Sequence, residues 1–399
     1  EYEALKPGQD AMHLLHLDQP LLEINITPDR GYTLSYRGVA REYHHSTGAA
    51  YTDPAVALNE KAPEPADYQP GTPVDIDVEI DDNNPIHGVP GCDRYYARIV
   101  KDFNPNAHTP NWMRRRLIRA GMRSISLAVD VTNYVMLDLG QPMHAFDMDT
   151  LESCQIIVRR AKDGEKITTL DSKEFTLTPQ NLVICDGEKP VALAGVMGGL
   201  NSEIKPETTQ LLFESAKFAR DNIRKTARGL GQNTDASAHY EKGISEYTTE
   251  LGMARALHLI QELGCGEVVS GTVEEGLPIK PLRVLPFEPA KYNALLGTSV
   301  TEEQMLAIFK KLEVEVRDGK DGKELVIPSF RQDLVGRADM AEEVARFFGY
   351  DKIPTTLPKG ETTTGKLSFK LRIEQKARDI AEYCGFSQGM TYSFESPKV

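Results

Sequence analysis

The sequence predicts an α+β protein made of several domains. Its 399 residues exceed what one ordinary hydrophobic core holds, so two to four domains are expected. Hydrophobic residues make up 40% of the chain and charged residues 26%, which is typical of a folded protein. Segments of alternating polarity are interleaved with segments of helical periodicity, and no internal repeat is evident. These observations together indicate mixed α and β structure in a multidomain chain.

The first part of the chain is predicted to form short elements followed by a linker. Residues 22–26 alternate like a strand, residues 28–31 form a Pro-Asp-Arg-Gly turn, and residues 35–45 have the pattern of a short helix. The proline-rich stretch from Pro54 to Pro73 then predicts a linker.

Over the next two hundred residues, the sequence pattern predicts an alternation of strands and helices. Alternating or β-branched apolar runs predict strands at 75–80, 94–100, 127–131, 156–159, 165–170 and 181–185. Helical patterns cover residues 110–119, which end at Gly121, and residues 250–263, which end at Gly264.

A further unit is predicted to begin near Leu282. Thr301 and Gln304 have the spacing of a capping box, which opens a helix over 304–312. A hairpin over 313–327 and a helix over 337–349 follow, and residues 360–399 begin another helix and a strand, with the strand-like run at 389–394.

Charge, cysteines and hydropathy exclude several classes of protein. The net charge of −13 argues against a nucleic-acid partner, although the arginine run 114–116, with Arg119 and Arg123, can hold phosphates locally. Five scattered cysteines without a Cys-x-x-Cys pair indicate reduced thiols in a cytoplasmic protein. No apolar run reaches membrane-spanning length and no signal peptide is evident, so we expect no membrane partner. The chain begins without methionine, and we expect it to be a piece of a longer protein.

Two isolated side chains are candidates for chemistry. Glu214 lies among apolar neighbours, where a carboxylate is costly unless a group donates to it, although spacing alone favours a surface or capping glutamate. Because imidazole ordinarily titrates near neutral pH, His144 is a candidate general base, but a histidine in an apolar segment is more often structural. The glycine-rich turn 195–199 lacks the Lys-Ser/Thr ending of a phosphate loop.

A carboxylate cluster is the other chemical candidate. On the helix predicted over 337–349, Asp339, Glu342 and Glu343 are at i, i+3 and i+4, and Asp333 precedes them. Such oxygen ligands suit Mg²⁺. The alternative is a solvated acidic face paired with neighbouring arginines, and spacing alone favours it.

Two long runs carry a resemblance to a known family. The run RSISLAVDVTNYVMLDLGQPMHAFD at 123–147 and the run TDASAHYEKG at 234–243 resemble diagnostic segments of the editing domain in β subunits of bacterial phenylalanine–tRNA ligase. The segment PSFRQD at 328–333, followed by EEVAR at 342–346, resembles a later part of the same subunit. The resemblance implies the end of a first domain at 1–55, a linker at 56–73, a mixed α/β editing domain at 74–276, a winged-helix-like domain of the DNA-binding type at 281–355, and the start of an inactive catalytic-like module at 360–399.

The resemblance also implies a role for twelve residues. It places Arg123, Thr132, Asn133 and His144 around the ester of a misacylated tRNA. It places Gly198, Glu214, Thr234 and Ala236 in the pocket for the aminoacyl side chain, where Glu214 recognises the tyrosine hydroxyl. It further implies that Asp333, Asp339, Glu342 and Glu343 form a Mg²⁺ site shared with the α subunit.

The function implied is that of an editing subunit. The whole enzyme of the family is an α₂β₂ heterotetramer that attaches phenylalanine to tRNA(Phe) with ATP, with this chemistry in the α subunit. The present chain would hydrolyse Tyr-tRNA(Phe) with a positioned water. A non-catalytic nucleic-acid-binding or scaffold module is the alternative, and a free-standing deacylase is a third, less favoured one.

Overall fold

The computed structural model describes residues 6–10, 12, 18–54, 76–82, 85–269, 271–320, 322–362 and 364–397. The chain divides into one compact unit over Glu1–Ile353 and a second over Pro354–Val399. The predicted linker at 56–73 lies outside the described residues. Within the described ranges, no helix combines the length and the apolar character needed to cross a membrane.

Among the described residues, helices occur in both units. Their bounds are α1 Tyr36–Thr47, α2 Asn111–Arg119, α3 Leu127–Leu139, α4 Arg220–Leu230, α5 Asp235–Lys242, α6 Glu246–Glu262, α7 Pro289–Leu296, α8 Glu302–Lys311, α9 Arg337–Phe348 and α10 Phe369–Tyr383. Side chains satisfy the free N–H groups at several helix starts. Ser35 accepts from the Gly38 N–H at α1, and Thr301 with Gln304 completes the predicted capping box at α8.

The strands found among the described residues lie in the first unit. Their bounds are β1 Asp77–Asp81, β2 Cys92–Lys101, β3 Met143–Asp147, β4 Gln155–Arg160, β5 Lys166–Thr168, β6 Glu174–Thr176, β7 Leu182–Asp186, β8 Lys189–Leu193, β9 Met197–Gly198, β10 Leu211–Phe218, β11 Glu267–Val268, β12 Val273–Gly276, β13 Val284–Pro286, β14 Glu315–Gly319 and β15 Gly322–Val326.

The candidate site lies on a sheet in the order β11-β2-β10-β3, with antiparallel pairing between neighbours. Alternation along β10 divides this sheet into two apolar faces. Leu212 and Ala216 point into a core shared with the second sheet, β1-β4-β7-β8-β9. Leu211 and Phe213 point the other way, into a core covered by α2, α3 and α6. The result is three layers, with two sheets face to face and helices over one of them.

A third core forms between residues 285 and 348. The sheet β13-β15-β14 packs with α7, α8 and α9 around Tyr292, Phe309 and Val344. The first unit is thus a mixed α+β structure with more than one core, as the sequence predicts.

The N-terminal segment joins these cores through buried charges, in a region we call the junction (residues 30–53 with Glu313, Phe330, Arg331, Glu343 and Arg346). Arg30 donates to Glu343 at 2.6 Å, and Arg346 donates to Glu42 at 2.8 Å. His45 is buried between two carboxylates, 3.1 Å from an oxygen of Glu313.

The strand predicted over 127–131 is wrong, because these residues open α3. Leu127, Val131 and Leu139 all enter the core under the helical layer, with Tyr134 and Val135 between them. This spacing is that of one helix face. A run of five apolar and β-branched residues cannot by itself distinguish a buried helix from a buried strand.

Two further predicted strands are also wrong. Residues 22–26 and 389–394 have no strand pairing within the described chain, and most of their large side chains are exposed. A strand is stable only when a neighbour completes its ladder of hydrogen bonds. Local alternation therefore predicts an extended segment but cannot supply its partner.

The second unit contains the helix that was predicted there. Ser368 accepts a hydrogen bond from the Leu371 N–H and so caps α10. Apolar side chains of this helix, including Phe369 and Ile380, are exposed.

Candidate active site

An open pocket of about 370 Å³ lies beside β10, between the two large sheets. Its wall is mostly apolar, with a few polar groups, as is typical of small-molecule sites. It is formed by Pro142, Met143, His144, Ile184, Ala192, Leu193, Gly195, Val196, Met197, Gly198, Glu214, Ala236 and Tyr240. Four of the eight residues that the resemblance implied for editing are thus brought together from four separate parts of the chain.

Strand register sets the two polar side chains of this wall side by side. Glu214 lies directly opposite His144 in the β10–β3 ladder and opposite Ala97 in the β10–β2 ladder. Tyr95 is two residues from Ala97, so it is a diagonal neighbour of Glu214 on the same face. Tyr95, Glu214 and His144 therefore lie next to each other on one face of the sheet, on three adjacent strands.

Glu214 is a buried carboxyl group without a full set of partners. Burial raises its pKa to about 8, and the nearby Tyr95 hydroxyl partly offsets this rise. Neither Glu214 Oε2 nor the Tyr95 hydroxyl makes a hydrogen bond of ordinary geometry within the described structure. A buried polar atom left in this state costs free energy that a ligand hydroxyl can recover.

His144 is a neutral imidazole at physiological pH. Its ring is half-buried in the pocket wall and packs edge-on against Phe146, with 4.5 Å between ring centroids. Burial lowers its pKa to about 4. A neutral ring can hold a water or an ester oxygen by a hydrogen bond, but it is a weak base.

Gly198 is needed for the position of that ring. A β-carbon at Gly198 would lie 2.5 Å from His144 Cε1 and 2.8 Å from Nε2, closer than such atoms approach each other. The absence of a side chain at residue 198 lets the backbone of β9 pass beside the imidazole.

Thr234 and Ala236 belong to the start of α5. The Thr234 hydroxyl donates to the Val196 carbonyl at 2.9 Å and accepts from the Ser237 N–H. Because Val196 lines the pocket, the cap of α5 fixes one wall, and the small side chain of Ala236 leaves that wall open.

The other three implied residues lie outside the pocket wall. Arg123 is exposed in the loop before α3, and Thr132 is buried on α3, where its hydroxyl donates to the Val129 carbonyl at 2.8 Å. Asn133 is half-buried on the same helix. Helix α3 packs on β3, whose Ala145 faces the helical core while His144 lines the pocket.

Tyr95 and Tyr240 are site residues that the sequence did not single out. Tyr240 is buried in the wall, and its hydroxyl donates to the Ala216 carbonyl at 3.0 Å. Strand alternation places residues 95 and 97 on one face, but only the pairing register shows that this face also carries Glu214.

The carboxylate of the predicted metal ligand Glu343 is paired with arginines. It is buried at the junction and accepts hydrogen bonds from Arg30, Arg331 and Arg346 at 2.6, 3.0 and 2.7 Å. Although burial opposes ionisation, Arg331 and Arg346 lower its pKa to about 2.

The remaining three carboxylates do not converge on it. Asp333 accepts two hydrogen bonds from Arg331, and Asp339 accepts from the N–H groups of Val335 and Gly336. Glu342 is exposed, on a different side of α9 from the buried Glu343. Among the residues that the structure describes, no group of three His, Cys, Asp or Glu side chains is arranged to hold a metal. In this arrangement the four carboxylates do not fit a Mg²⁺ site.

Three family models match successive parts of the chain. Residues 91–265 match the B3/4 domain, residues 285–350 match the tRNA synthetase B5 domain, and residues 353–399 match the phenylalanyl-tRNA synthetase β chain CLM domain. The pocket lies within the first of these matches.

Curated relatives agree with the models over nearly the whole chain. The phenylalanine–tRNA ligase β subunit of Bifidobacterium longum is 57% identical over 403 residues, covering 99% of this chain and 46% of that protein. The chain belongs to the phenylalanine–tRNA ligase β-subunit family. The β subunits of Syntrophus aciditrophicus and Moorella thermoacetica are each 40% identical, covering 98% of this chain and 47% of each relative. The chain spans about half the length of these β subunits.

Proposed function

We propose that the pocket beside β10 is an editing site that hydrolyses the ester of tyrosine wrongly attached to tRNA(Phe). The observation that carries this proposal is a buried carboxyl, Glu214, with an oxygen that lacks a partner, in the wall of a mostly apolar pocket. Tyrosine differs from phenylalanine by one hydroxyl, which a hydrophobic synthetic site rejects only about a hundredfold. A second site that requires the hydroxyl removes the remaining errors.

The specificity of this reaction comes from Glu214. A tyrosine hydroxyl in the pocket completes the hydrogen bonds of this carboxyl, whereas a phenylalanine ring leaves it unpaired. The difference is about 1–3 kcal/mol, or roughly 5- to 150-fold in favour of the tyrosyl ester. Gly198 and Ala236 leave room for the ring.

The chemistry proposed is direct attack by water. No Ser or Cys side chain is among the described residues that line the pocket, so no covalent enzyme intermediate is invoked. His144 holds the water by a hydrogen bond, and the water oxygen attacks the ester carbonyl. The ester C–O bond then breaks, a proton passes to the leaving ribose oxygen, and tyrosine and free tRNA are released. Asn133 would orient the water or the ester together with His144, and Arg123 would hold the terminal adenosine or a phosphate.

This chain would act as part of a larger enzyme. We propose an α₂β₂ assembly in the cytoplasm, in which an α subunit uses ATP to attach phenylalanine to tRNA(Phe). Residues 281–355 would be its winged-helix-like domain, and residues 360–399 the start of an inactive catalytic-like module. A Mg²⁺ site at Asp333, Asp339, Glu342 and Glu343 stays a prediction, and it requires Asp333, Asp339 and Glu343 to leave their present arginine and backbone partners on assembly with the α subunit.

The test is hydrolysis of Tyr-tRNA(Phe) and Phe-tRNA(Phe) by the chain and by Glu214→Ala. We expect faster hydrolysis of the tyrosyl ester, with this preference lost in the variant. Glu207→Ala changes an exposed glutamate just before β10 and should keep the preference.

The same assay distinguishes the alternative function. If tRNA binds but neither ester is hydrolysed above background, even with the α subunit added, the chain is a non-catalytic nucleic-acid-binding or scaffold module and the editing proposal is wrong.

A further inference from the structure

The chain contains one long segment that is basic and lacks acidic residues. The 27 residues 103–129 include five arginines and no Asp or Glu, although Asp and Glu number 59 of 399 overall. This segment stands out in a protein with a net charge of −13. A local positive field of this kind attracts polyanions whatever the total charge.

The fold turns these arginines outward. Met113 and Leu117 of α2 are fully buried in the core under the helical layer. Arg115 and Arg119 are half-buried, one turn apart on the same helix. Neither forms an ion pair with a carboxylate in the described part of the chain, and Arg119 instead donates to uncharged oxygens of residues 19 and 20.

An aromatic platform lies beside them on the same helix. The Arg116 guanidinium is 5.3 Å from the ring centroid of Trp112 and 5.9 Å from that of Tyr134, and it donates to the Tyr134 hydroxyl. Trp112 keeps 36% of its surface exposed. The platform is thus partly open to solvent and positively charged.

The loop after α2 is held so that it continues this surface. Buried Asp130 accepts hydrogen bonds from the Ser124 hydroxyl and, at 2.9 Å, from the Ile125 N–H. This anchors the loop that exposes Arg123, and Ile125 beside it is 66% exposed. We call Arg115, Arg116, Arg119 and Arg123 together with Trp112 the arginine surface.

We propose that the arginine surface binds single-stranded RNA, with backbone phosphates on Arg115, Arg119 and Arg123 and a base stacked on the Trp112–Arg116 platform. Sites for single-stranded nucleic acid combine positively charged side chains, which bind phosphates, with aromatic rings on which bases stack. The arginine surface contains both. An acidic peptide would use the charges but not the platform. The surface belongs to the same compact unit as the pocket: α2 packs on α3, and α3 packs on β3, whose Ala145 faces the helical core while His144 lines the pocket.

This inference rests on the proposed editing function in one respect: the RNA bound here would be the strand that leads to the ester in the pocket. The surface explains how an acidic chain holds a polyanion. It assigns Arg115 and Arg119 to binding of the strand and not to the hydrolytic step.

The test measures binding of a fluorescent single-stranded RNA of about 12 nucleotides, at several salt concentrations between about 50 and 200 mM, to the full chain and to Arg115→Gln/Arg119→Gln. We expect the double variant to bind at least about tenfold more weakly and the slope of log K against log salt to fall by about 1.4. The matched control is Lys225→Gln/Arg228→Gln, which removes the same charge from exposed positions of α4 and should change little.

Three results would overturn the proposal. The wild-type chain could fail to bind the RNA, the control pair could weaken binding as much as the α2 pair, or a polyglutamate peptide could compete as well as RNA.

Hydrolysis of a tyrosyl ester of adenosine separates the two proposals. This small substrate has no RNA strand, so Arg115→Gln/Arg119→Gln should hydrolyse it at the wild-type rate while KM for Tyr-tRNA(Phe) rises. A chain that binds RNA through the arginine surface but hydrolyses neither substrate would refute the editing function and leave this inference standing.

Discussion

At the scale of single residues, the site combines groups that are costly to bury. Glu214 and His144 face each other across a strand pair, and burial shifts the pKa of each towards its neutral form. Both are therefore neutral over much of the range near neutral pH. Such groups reduce stability and are retained where function needs them.

Glu214→Gln should stabilise the chain in alkaline solution. Because burial raises the pKa of Glu214 from 4.5 to about 8, the wild-type fold loses stability as pH rises from 4.5 to 8, and the loss is complete above that range. The variant lacks this loss, which amounts to roughly 3–5 kcal/mol. Thermal unfolding at pH 5 and pH 9 measures it as a gain for the variant that appears only at the higher pH.

Glu246→Gln is the control of opposite sign. Although burial opposes ionisation, Lys217 lowers the pKa of Glu246, with Lys217 Nζ 3.1 Å from its carboxylate. Its contribution is present above the unfolded pKa, so this variant should lose stability at pH 9 relative to acidic pH. Equal effects of both variants at both pH values would contradict the burial argument for Glu214.

At the scale of elements, the pocket depends on where strands and helix starts pass each other. β9 has only two residues, yet Gly198 on it brings the backbone against the His144 ring. The cap of α5 holds the opposite wall through Thr234 and Val196. The short elements therefore position the polar groups of the pocket, and the long strands and helices form the hydrophobic core.

Gly198→Ala should disturb the site through His144. The added β-carbon would lie 2.5 Å from the imidazole, so the ring must move, at a cost of about 1–3 kcal/mol. We expect lower stability and at least tenfold slower hydrolysis of Tyr-tRNA(Phe), measured by thermal unfolding and by deacylation.

Gly229→Ala is the matched control for that substitution. Gly229 lies in α4, and a β-carbon there meets nothing within 4 Å. This change should leave activity unaltered and stabilise the helix by up to about 1 kcal/mol. If the two alanine variants have the same stability and the same rate of hydrolysis, the close contact of Gly198 with His144 does not contribute to function.

At the scale of the first unit, charged groups join the N-terminal segment to the core over 285–348. Arg30 and Glu343 are 313 positions apart in sequence and form one buried contact. His45 is enclosed by Glu42 and Glu313, and these in turn pair with Arg346 and Arg41. The junction is therefore sensitive to the charge of a single histidine.

The junction should weaken above neutral pH. Burial opposes the charge of His45, but hydrogen bonds to Glu313 and Glu42 raise its pKa above 6.5. Its contribution is fully present below the unfolded pKa and is lost as pH rises through the higher folded value. We expect His45→Gln to cost about 1 kcal/mol at pH 5.5 and much less at pH 8.5, measured by thermal unfolding.

A control histidine away from the junction tests this assignment. His258 lies on α6, and a pH-dependent deficit of the same size in His258→Gln would contradict the assignment of the effect to His45. A deficit of His45→Gln that stays constant from pH 5.5 to 8.5 would show that the ring contributes by packing and not by charge.

Local chemistry was readable from the sequence. The capping box at Thr301, the helix over α2, the alternating strands of β2 and β4 and the arginine run without acidic neighbours each depend on residues within a few positions of each other. Glu214 and His144 stood out as ionisable groups in apolar segments, but their proposed roles came from the family resemblance.

Long-range pairing was decided by the tertiary structure alone. Glu214 meets His144 across 70 residues of sequence, and Tyr95 joins them only through the register of β2 with β10. Helix α3 is a helix because its apolar residues face a core that distant strands complete. Glu343 is paired with Arg30 and not free for a metal because the N-terminal segment folds back on α9. Register, burial and charge pairing depend on which distant segments meet, and a linear pattern does not contain that information.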